Sequence, residues 1–170
     1  VSHLESLYLI GEMGDFKHIV TPEILSKNKE NDSIGNASKL GYDYFGDISP
    51  STIRYIKNSV DIVKNNDCSK IKTVVEIGGG YGGLCKVLHD YIDIDSYTII
   101  DLYEPTLLSK KYLNHFGIDV NVKNPNDDLN FEDGIDLLIS NYAFSEVTRE
   151  LQNVYIDKVI SKCKNFYIIY

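Results

Sequence analysis

Glu76-Ile77-Gly78-Gly79-Gly80-Tyr81-Gly82-Gly83 is the stretch on which the reading of this chain turns. It follows an apolar run, Thr73 to Ile77, and precedes residues whose apolar positions recur at helical spacing. Glycine accepts the backbone angles of a tight turn and lets a ligand approach the main chain, while the start of a helix offers unpaired N–H groups. A strand, a glycine turn and a helix in that order predict a nucleotide-like ligand at the turn. The spacing satisfies two patterns at once. Gly78, Gly80 and Gly83 fit the dinucleotide arrangement GxGxxG, whereas Glu76, Gly78, Gly80 and Gly82 fit E/D-x-G-x-G-x-G. The glycines alone do not choose between them.

Outward from this turn, short apolar runs alternate with helix-patterned stretches. Thr73 to Ile77, Tyr97 to Leu102, Ile118 to Val122, Ile135 to Ser140 and Phe166 to Tyr170 read as strands; Tyr81 to Tyr91, Pro105 to Phe116 and Glu146 to Cys163 read as helices. Such alternation predicts an α/β fold, a Rossmann-like parallel sheet wound through right-handed crossovers and covered on both faces. The stretch from Val122 to Ile135 is short and rich in Asn, Asp and Pro, so one crossover is expected to be abbreviated. Upstream, Ser49 as N-cap and Pro50 at the first helical position open a helix with Ile53, Ile56, Val60 and Val63 on one face. Residues 1 to about 47 are polar, Asn- and Lys-rich from Ser26 to Lys39, and predict a helix or two and an exposed loop. The division expected is a helical N-terminal segment, 1–69, packing on a core domain, 70–170. The chain begins at Val1 and stops at Tyr170 inside an apolar run, as an excised segment of a longer protein does.

Bulk properties bound the function. With 170 residues, 43% of them apolar and 25% charged, the chain is the size and composition of an ordinary globular domain. No run approaches the ~20 apolar residues that span a bilayer, and no basic segment with an apolar signal core opens the chain. We therefore expect a cytoplasmic protein with no membrane partner. A net charge of -8 argues against nucleic acid, which is held largely by Lys and Arg neutralising phosphates. Cys68, Cys85 and Cys163 form no CxxC pair and lie at wide spacings, so they read as reduced structural thiols.

Glu76 ends a strand two residues before the first glycine, where its charge acts on the ligand. Beside a pyrophosphate it is repelled; beside the cationic methionine moiety of S-adenosylmethionine it is attracted. That favours the sulfonium cofactor over NAD. Its structural alternative is a carboxylate capping the turn through glycine N–H groups. Asp101 ends the next strand, 23 residues after Gly78, near the ~20-residue interval at which an acidic side chain takes ribose hydroxyls. A third patch, Ser140-Asn141-Tyr142-Ala143-Phe144-Ser145-Glu146, follows the strand expected beside the first. There Asn141 and Tyr142 can hydrogen-bond cofactor or acceptor, and Glu146 can serve as a base or simply sit at a helix start. Arg54 and Tyr55 are further candidates, for the methionine carboxylate or for a surface ion pair. His89, near a helix end, reads as solvated.

SPSTIRY (Ser49 to Tyr55), EIGGGYGGLCKVL (Glu76 to Leu88), IIDL (Ile99 to Leu102) and SNYAFSE (Ser140 to Glu146) followed by LQNVYIDKVI together resemble the sugar O-methyltransferase family. The resemblance covers roughly residues 40 to 170 in four ordered blocks. It implies a class I methyltransferase fold, S-adenosyl-L-methionine as donor, and transfer to a sugar hydroxyl. A complete sheet of that class has seven strands; this chain is expected to supply the first five, without the closing antiparallel hairpin. The candidate cofactor-binding set is Glu76, Gly78, Gly79, Gly80, Tyr81, Gly82, Asp101, Leu102, Ser140 and Asn141; Glu146 and Tyr142 are the candidate catalytic residues, and metal use is left open. The partner expected is a small-molecule or glycan acceptor, with other domains of a longer chain as a further one. Two alternatives stand beside this reading: a non-catalytic methyltransferase-like binding module, and an NAD(P)-dependent oxidoreductase.

Overall fold

The computed structural model describes residues 1–131 and 134–170. The chain folds as two units, Val1–Cys68 with Gly83–Ile92, and Ser69–Gly82 with Asp93–Tyr170. The helix after the glycine turn belongs to the same unit as the N-terminal segment.

The first unit holds α1 (His3–Glu12), α2 (Pro22–Lys29), a hairpin of β1 (Leu40–Tyr42) and β2 (Gly46–Ile48), α3 (Pro50–Asn65) and α4 (Gly83–His89). The start of α1 is a capping box in which Ser2 and Glu5 each bond the other's backbone N–H. At α3, Ser49 caps as its type and position predict, accepting the Thr52 N–H at 3.1 Å. Its N-cap is itself held by buried Asp32, which accepts the Ser49 N–H at 2.6 Å and the hydroxyls of Ser49 and Thr52 at 2.7 and 2.6 Å. Ile53, Ile56 and Val60 of α3 are fully buried with Met13, Phe16, Val20, Phe45 and Val87. On α4, Lys86 is buried and paired with Asp90 at 2.9 Å. The hairpin is absent from the sequence expectation because strands of three residues carry too little alternation to be read.

The second unit is a five-stranded parallel sheet in the order β5-β4-β3-β6-β7, built from β3 (Thr73–Ile77), β4 (Ser96–Ile100), β5 (Asn121–Lys123), β6 (Ile135–Asn141) and β7 (Cys163–Ile169). Helices α5 (Tyr103–His115), α6 (Ala143–Glu146) and α7 (Arg149–Lys158) accompany it. Val75, Ile77, Ile100 and Leu138 of the strands are buried with Leu129, Tyr155 and Val159. The sheet runs outward from β3 through β4 to β5, then resumes at β6 on the other side of β3. The winding therefore reverses between β3 and β6, where open α/β sheets form a ligand crevice at their carboxyl ends. Asp136 fixes the opposite end, accepting the N–H groups of Lys72 and Thr73 at 2.9 Å each and the Lys164 ammonium at 2.7 Å. Between β5 and β6 the described residues contain no helix; Glu132 and Asp133, part of the expected short crossover, lie outside them.

One element differs from its sequence reading in a way that touches the site. Of the helix expected from Glu146 to Cys163 only α7, Arg149–Lys158, forms: Thr148 takes extended backbone and its hydroxyl accepts the Leu151 N–H at 3.4 Å, starting α7 afresh, while Cys163 already opens β7. Glu146 is the last residue of the short α6 and not the opening of the long helix.

Candidate functional site

The glycine turn closes on itself and on its neighbours. Gly78 donates its N–H to the Ile100 carbonyl at 2.9 Å, and Gly82 donates to Gly79 at 2.9 Å. Gly78 has φ +79°, and a Cβ built on it lies 2.1 Å from the Ala143 Cβ. Here glycine is demanded by packing as well as by backbone angle. Gly80 differs: φ is +56°, yet nothing lies within 4 Å of its added Cβ. Gly80 is the position where the turn presents bare backbone to open space. Gly79 and Gly82 lie against Ile99 and Leu113. Tyr81 is turned to α5, its ring edge-on to Tyr112 at 4.9 Å.

Asp101 stands where the neighbouring strand ends. One carboxylate oxygen accepts the Gly80 N–H at 2.9 Å and the other accepts the Leu102 N–H at 2.7 Å. Each oxygen keeps a lone pair, so the group can fix the turn and still accept hydroxyls. Leu102 is the N-cap of α5 and its side chain is 64% exposed beside Asp101.

Glu76 is the residue whose setting the sequence conceals. It is 2% exposed, and its Oε2 accepts the Tyr97 hydroxyl at 2.8 Å from β4. A Cβ on Gly79 comes within 3.2 Å of the same oxygen, so the carboxyl lies under the side-chain-free backbone of the turn. The capping alternative does not hold at Gly80, whose N–H goes to Asp101. Burial raises the Glu76 pKa to about 7, Tyr97 opposes that rise and the Asp101 charge adds to it. One sequence clue points to the pair: Tyr97 sits within the aliphatic strand Ser96–Ile100, and a buried phenol needs a polar partner.

The third patch follows β6 at the same end of the sheet. Ser140 is fully buried, with its hydroxyl accepting the Phe144 N–H at 3.1 Å, so it holds the start of α6. The Asn141 Oδ1 is buried and has no hydrogen-bond partner among the described residues. An orphaned buried acceptor costs about 1–3 kcal/mol unless a donor reaches it. Tyr142 has φ +68° and ψ -33°, a conformation a bulky residue adopts only under constraint. Its N–H is held by the Ile169 carbonyl at 2.8 Å and its carbonyl by the Ser145 N–H at 2.9 Å, while its side chain is 39% exposed. Glu146 is exposed. The structure thus brings Gly78, Gly79, Gly80, Gly82, Asp101, Leu102, Asn141 and Tyr142 to the carboxyl ends of three adjacent strands, with Glu76 beneath them. It turns Ser140 and Tyr81 inward.

Other candidates lie elsewhere. Arg54, on α3, stacks over Tyr55 at 5.7 Å with its Nε buried and unpaired among the described residues. His89 is half-buried, its Nδ1 2.7 Å from the Cys85 carbonyl, and burial lowers its pKa; it is not the solvated residue expected. None of the three cysteines is in a disulfide, and burial pushes the Cys163 thiol up to about 11, far from a reactive thiolate. Among the described residues no group of three or more His, Cys, Asp or Glu could hold a metal ion, and no helix is long and apolar enough to cross a membrane.

No family model and no curated protein matches the sequence. Solved structures do resemble it. A candidate RNA methyltransferase from Pyrococcus horikoshii is 14% identical, with 87% of this chain and 72% of that one covered at a TM-score of 0.57. A candidate caffeoyl-CoA O-methyltransferase from Staphylococcus aureus is 16% identical over 95% and 69%, at 0.53. The fold is that of the Rossmann-like methyltransferases. A Thermoplasma acidophilum protein is 20% identical over 69% of this chain at 0.52, and the chain spans 60% of its length. In this sheet the glycine turn and Asp101 occupy the carboxyl ends of β3 and β4, the edge at which open α/β sheets form a ligand crevice.

Proposed function

We propose that the chain binds S-adenosylmethionine at the Gly78–Gly82 turn and serves methyl transfer. The observation that carries this reading is the bare backbone at Gly80 tied to Asp101 at 2.9 Å, at the carboxyl end of the sheet. The donor set fits the cofactor. Asp101 offers two acceptor oxygens for the two ribose hydroxyls, the orphaned Asn141 Oδ1 awaits an N–H or O–H donor, and Glu76 supplies negative charge beneath the turn. When bound, S-adenosylmethionine supplies an electrophilic methyl group on a cationic sulfur. The chain's own part is orientation, the larger share of such a reaction, with Tyr142 held rigidly at the end of β6 to position cofactor or acceptor. Glu146, exposed on α6, is the base for a hydroxyl proton.

The acceptor in this reading is a sugar hydroxyl, supported by the resemblance of the four sequence blocks, and the setting is the cytoplasm. An NAD(P) ligand is disfavoured, because an ionised Glu76 under the turn repels a pyrophosphate and a protonated one gains nothing from it. The exposure of Glu146, with no partner orienting it among the described residues, favours a second reading as a module that binds the donor without turning it over.

Calorimetric titration with S-adenosylmethionine, S-adenosylhomocysteine and NADH separates these readings. The first two are expected to bind and NADH not to. Gly80→Val places a β-branched side chain on the bare backbone and abolishes binding while circular dichroism stays unchanged. Parental affinity in Gly80→Val, or tighter binding of NADH, overturns the proposal.

A further inference from the structure

The buried carboxylates of this chain are not alike. Asp32 and Asp136 each receive three donors, two backbone N–H groups and the Lys164 ammonium at Asp136, one N–H and two hydroxyls at Asp32. These are saturated structural groups. Glu76 is at least as buried, yet Tyr97 is the one donor that reaches it among the described residues. A buried carboxyl with so few donors is costly to ionise unless a positive charge arrives. Its Oε2 lies against Gly79, in a turn that carries no side chain from Gly78 to Gly80, so only backbone covers it there.

We propose that Glu76 makes this pocket distinguish the cationic methyl donor from its neutral-sulfur product, giving up a proton to solvent when the donor binds and taking one back when the sulfonium is gone. The inference rests on the reading of the turn as a donor site. The only bond involved is the carboxyl O–H: it breaks as the cation arrives, with the proton passing to water, and re-forms once the charge that favoured the carboxylate has left. The titratable groups that act on Glu76 are Tyr97 from β4, whose hydroxyl donates to it, and Asp101 beyond β4, whose negative charge favours the protonated form. Burial raises the pKa to about 7, so protonated and ionised forms are both present near neutrality before any ligand binds.

The sign follows. A cation lowers the carboxyl pKa in the complex, so donor affinity is weak where Glu76 is protonated, rises with pH through about 7 and levels off above it. For a starting pKa of about 7 the gain from pH 6 to pH 8 is roughly tenfold. S-adenosylhomocysteine lacks the sulfonium charge and should show a flatter profile.

The test is calorimetric titration of the chain with each ligand between pH 6 and 8, repeated at pH 7 in two buffers of different ionisation enthalpy to count protons released. Glu76→Gln keeps an oxygen for the Tyr97 hydroxyl and removes the titration; ionisation of the ligand itself is common to both proteins and cancels in the comparison. The expected result is that the parental chain gains about tenfold more donor affinity over this range than Glu76→Gln does, and that the variant's preference for donor over product falls. Binding of both ligands with the same pH slope in parental and variant protein overturns the role of Glu76 and leaves the donor site standing. Failure of either ligand to bind at any pH overturns the donor site and this inference with it.

Discussion

Gly78→Ala tests the packing on which the site is built. Two costs are legible in the structure. At φ +79° an alanine pays for the left-handed region, about 1–2 kcal/mol. Its Cβ also falls 2.1 Å from the Ala143 Cβ, whereas non-bonded carbons rest at about 3.5–4.0 Å, so the turn and α6 must part by more than an ångström. Overpacking of that kind costs about 1–3 kcal/mol, for a total near 2–5 kcal/mol. Gly80→Ala is the internal control: it shares the positive φ but meets nothing within 4 Å, so it should cost only about 1–2 kcal/mol. Urea denaturation of the two variants reads the difference. Ala143→Gly in the Gly78→Ala background removes the opposing methyl, and the double variant should be more stable than the sum of the singles predicts by about 1 kcal/mol or more. If Gly78→Ala and Gly80→Ala were equally stable within ~0.5 kcal/mol, or if Ala143→Gly gave no coupling, the close approach of the turn to α6 would not exist as described.

Asp101→Ala removes both oxygens offered to the ribose and frees the Gly80 N–H, so donor affinity should fall about ten- to a hundredfold by calorimetry; a loss under threefold counts against the ribose assignment. Glu146→Gln in an active form of the protein should lower turnover by roughly 10²-fold with donor affinity unchanged, and a parental rate shows that Glu146 is only a surface residue. Asp136→Ala leaves the Lys72 and Thr73 N–H groups without their acceptor and should cost about 1–3 kcal/mol at neutral pH. The Lys164 ammonium and those N–H groups hold the Asp136 pKa below its usual range, so its contribution is full above the unfolded-state pKa and fades as pH falls through the folded one; a deficit that stays constant into acid refutes this. Tyr142→Gly relieves the positive φ and should gain stability on the order of 1 kcal/mol while weakening donor binding or turnover; a gain in stability with function intact means that the strain has no role there.

The parts of the fold legible in the sequence are those announced by local chemistry. Thr73–Ile77 followed by glycines, and Ser49-Pro50 opening α3, carry their signals within a few residues. The placement of Asp101 beside Gly80 follows from chain topology, since a parallel crossover returns the second strand next to the first. What the sequence hides depends on residues far apart along it. Ser140 reads as a site hydroxyl until α6 is seen to begin over it, and Tyr81 reads as a cofactor-binding residue until its ring is seen edge-to-face with Tyr112 of α5. The break at Val147 has only a weak local signal, Thr148 followed by Glu150, set within an apolar pattern that runs on through Leu151 and Tyr155. Glu76 was legible as a carboxylate near the turn, while its burial depends on β4 delivering Tyr97 to the same face two residues before Ile99, its partner in register.

That register also orders the acidic residues by what a ligand can still do to them. Asp136 and Asp32 spend their acceptor capacity on the chain, so their removal should show in stability. Asp101 spends one bond on each oxygen and keeps the rest, so its removal should show in affinity and, through Gly80, slightly in stability. Glu76 accepts a single hydroxyl while buried, and its ionised form is the least compensated of the four. A carboxyl left in that state weakens the free protein at high pH, because burying its charge opposes folding. Glu76→Gln should therefore stabilise the unliganded chain above pH 7 and lose that advantage as pH falls and the parental carboxyl protonates. Donor binding should reverse the order at high pH, since only the parental chain then holds the compensating pair. A thermal-denaturation series across pH, with and without donor, reads this crossing directly; parallel curves would mean that Glu76 is satisfied by the fold alone and that the ligand adds nothing to it.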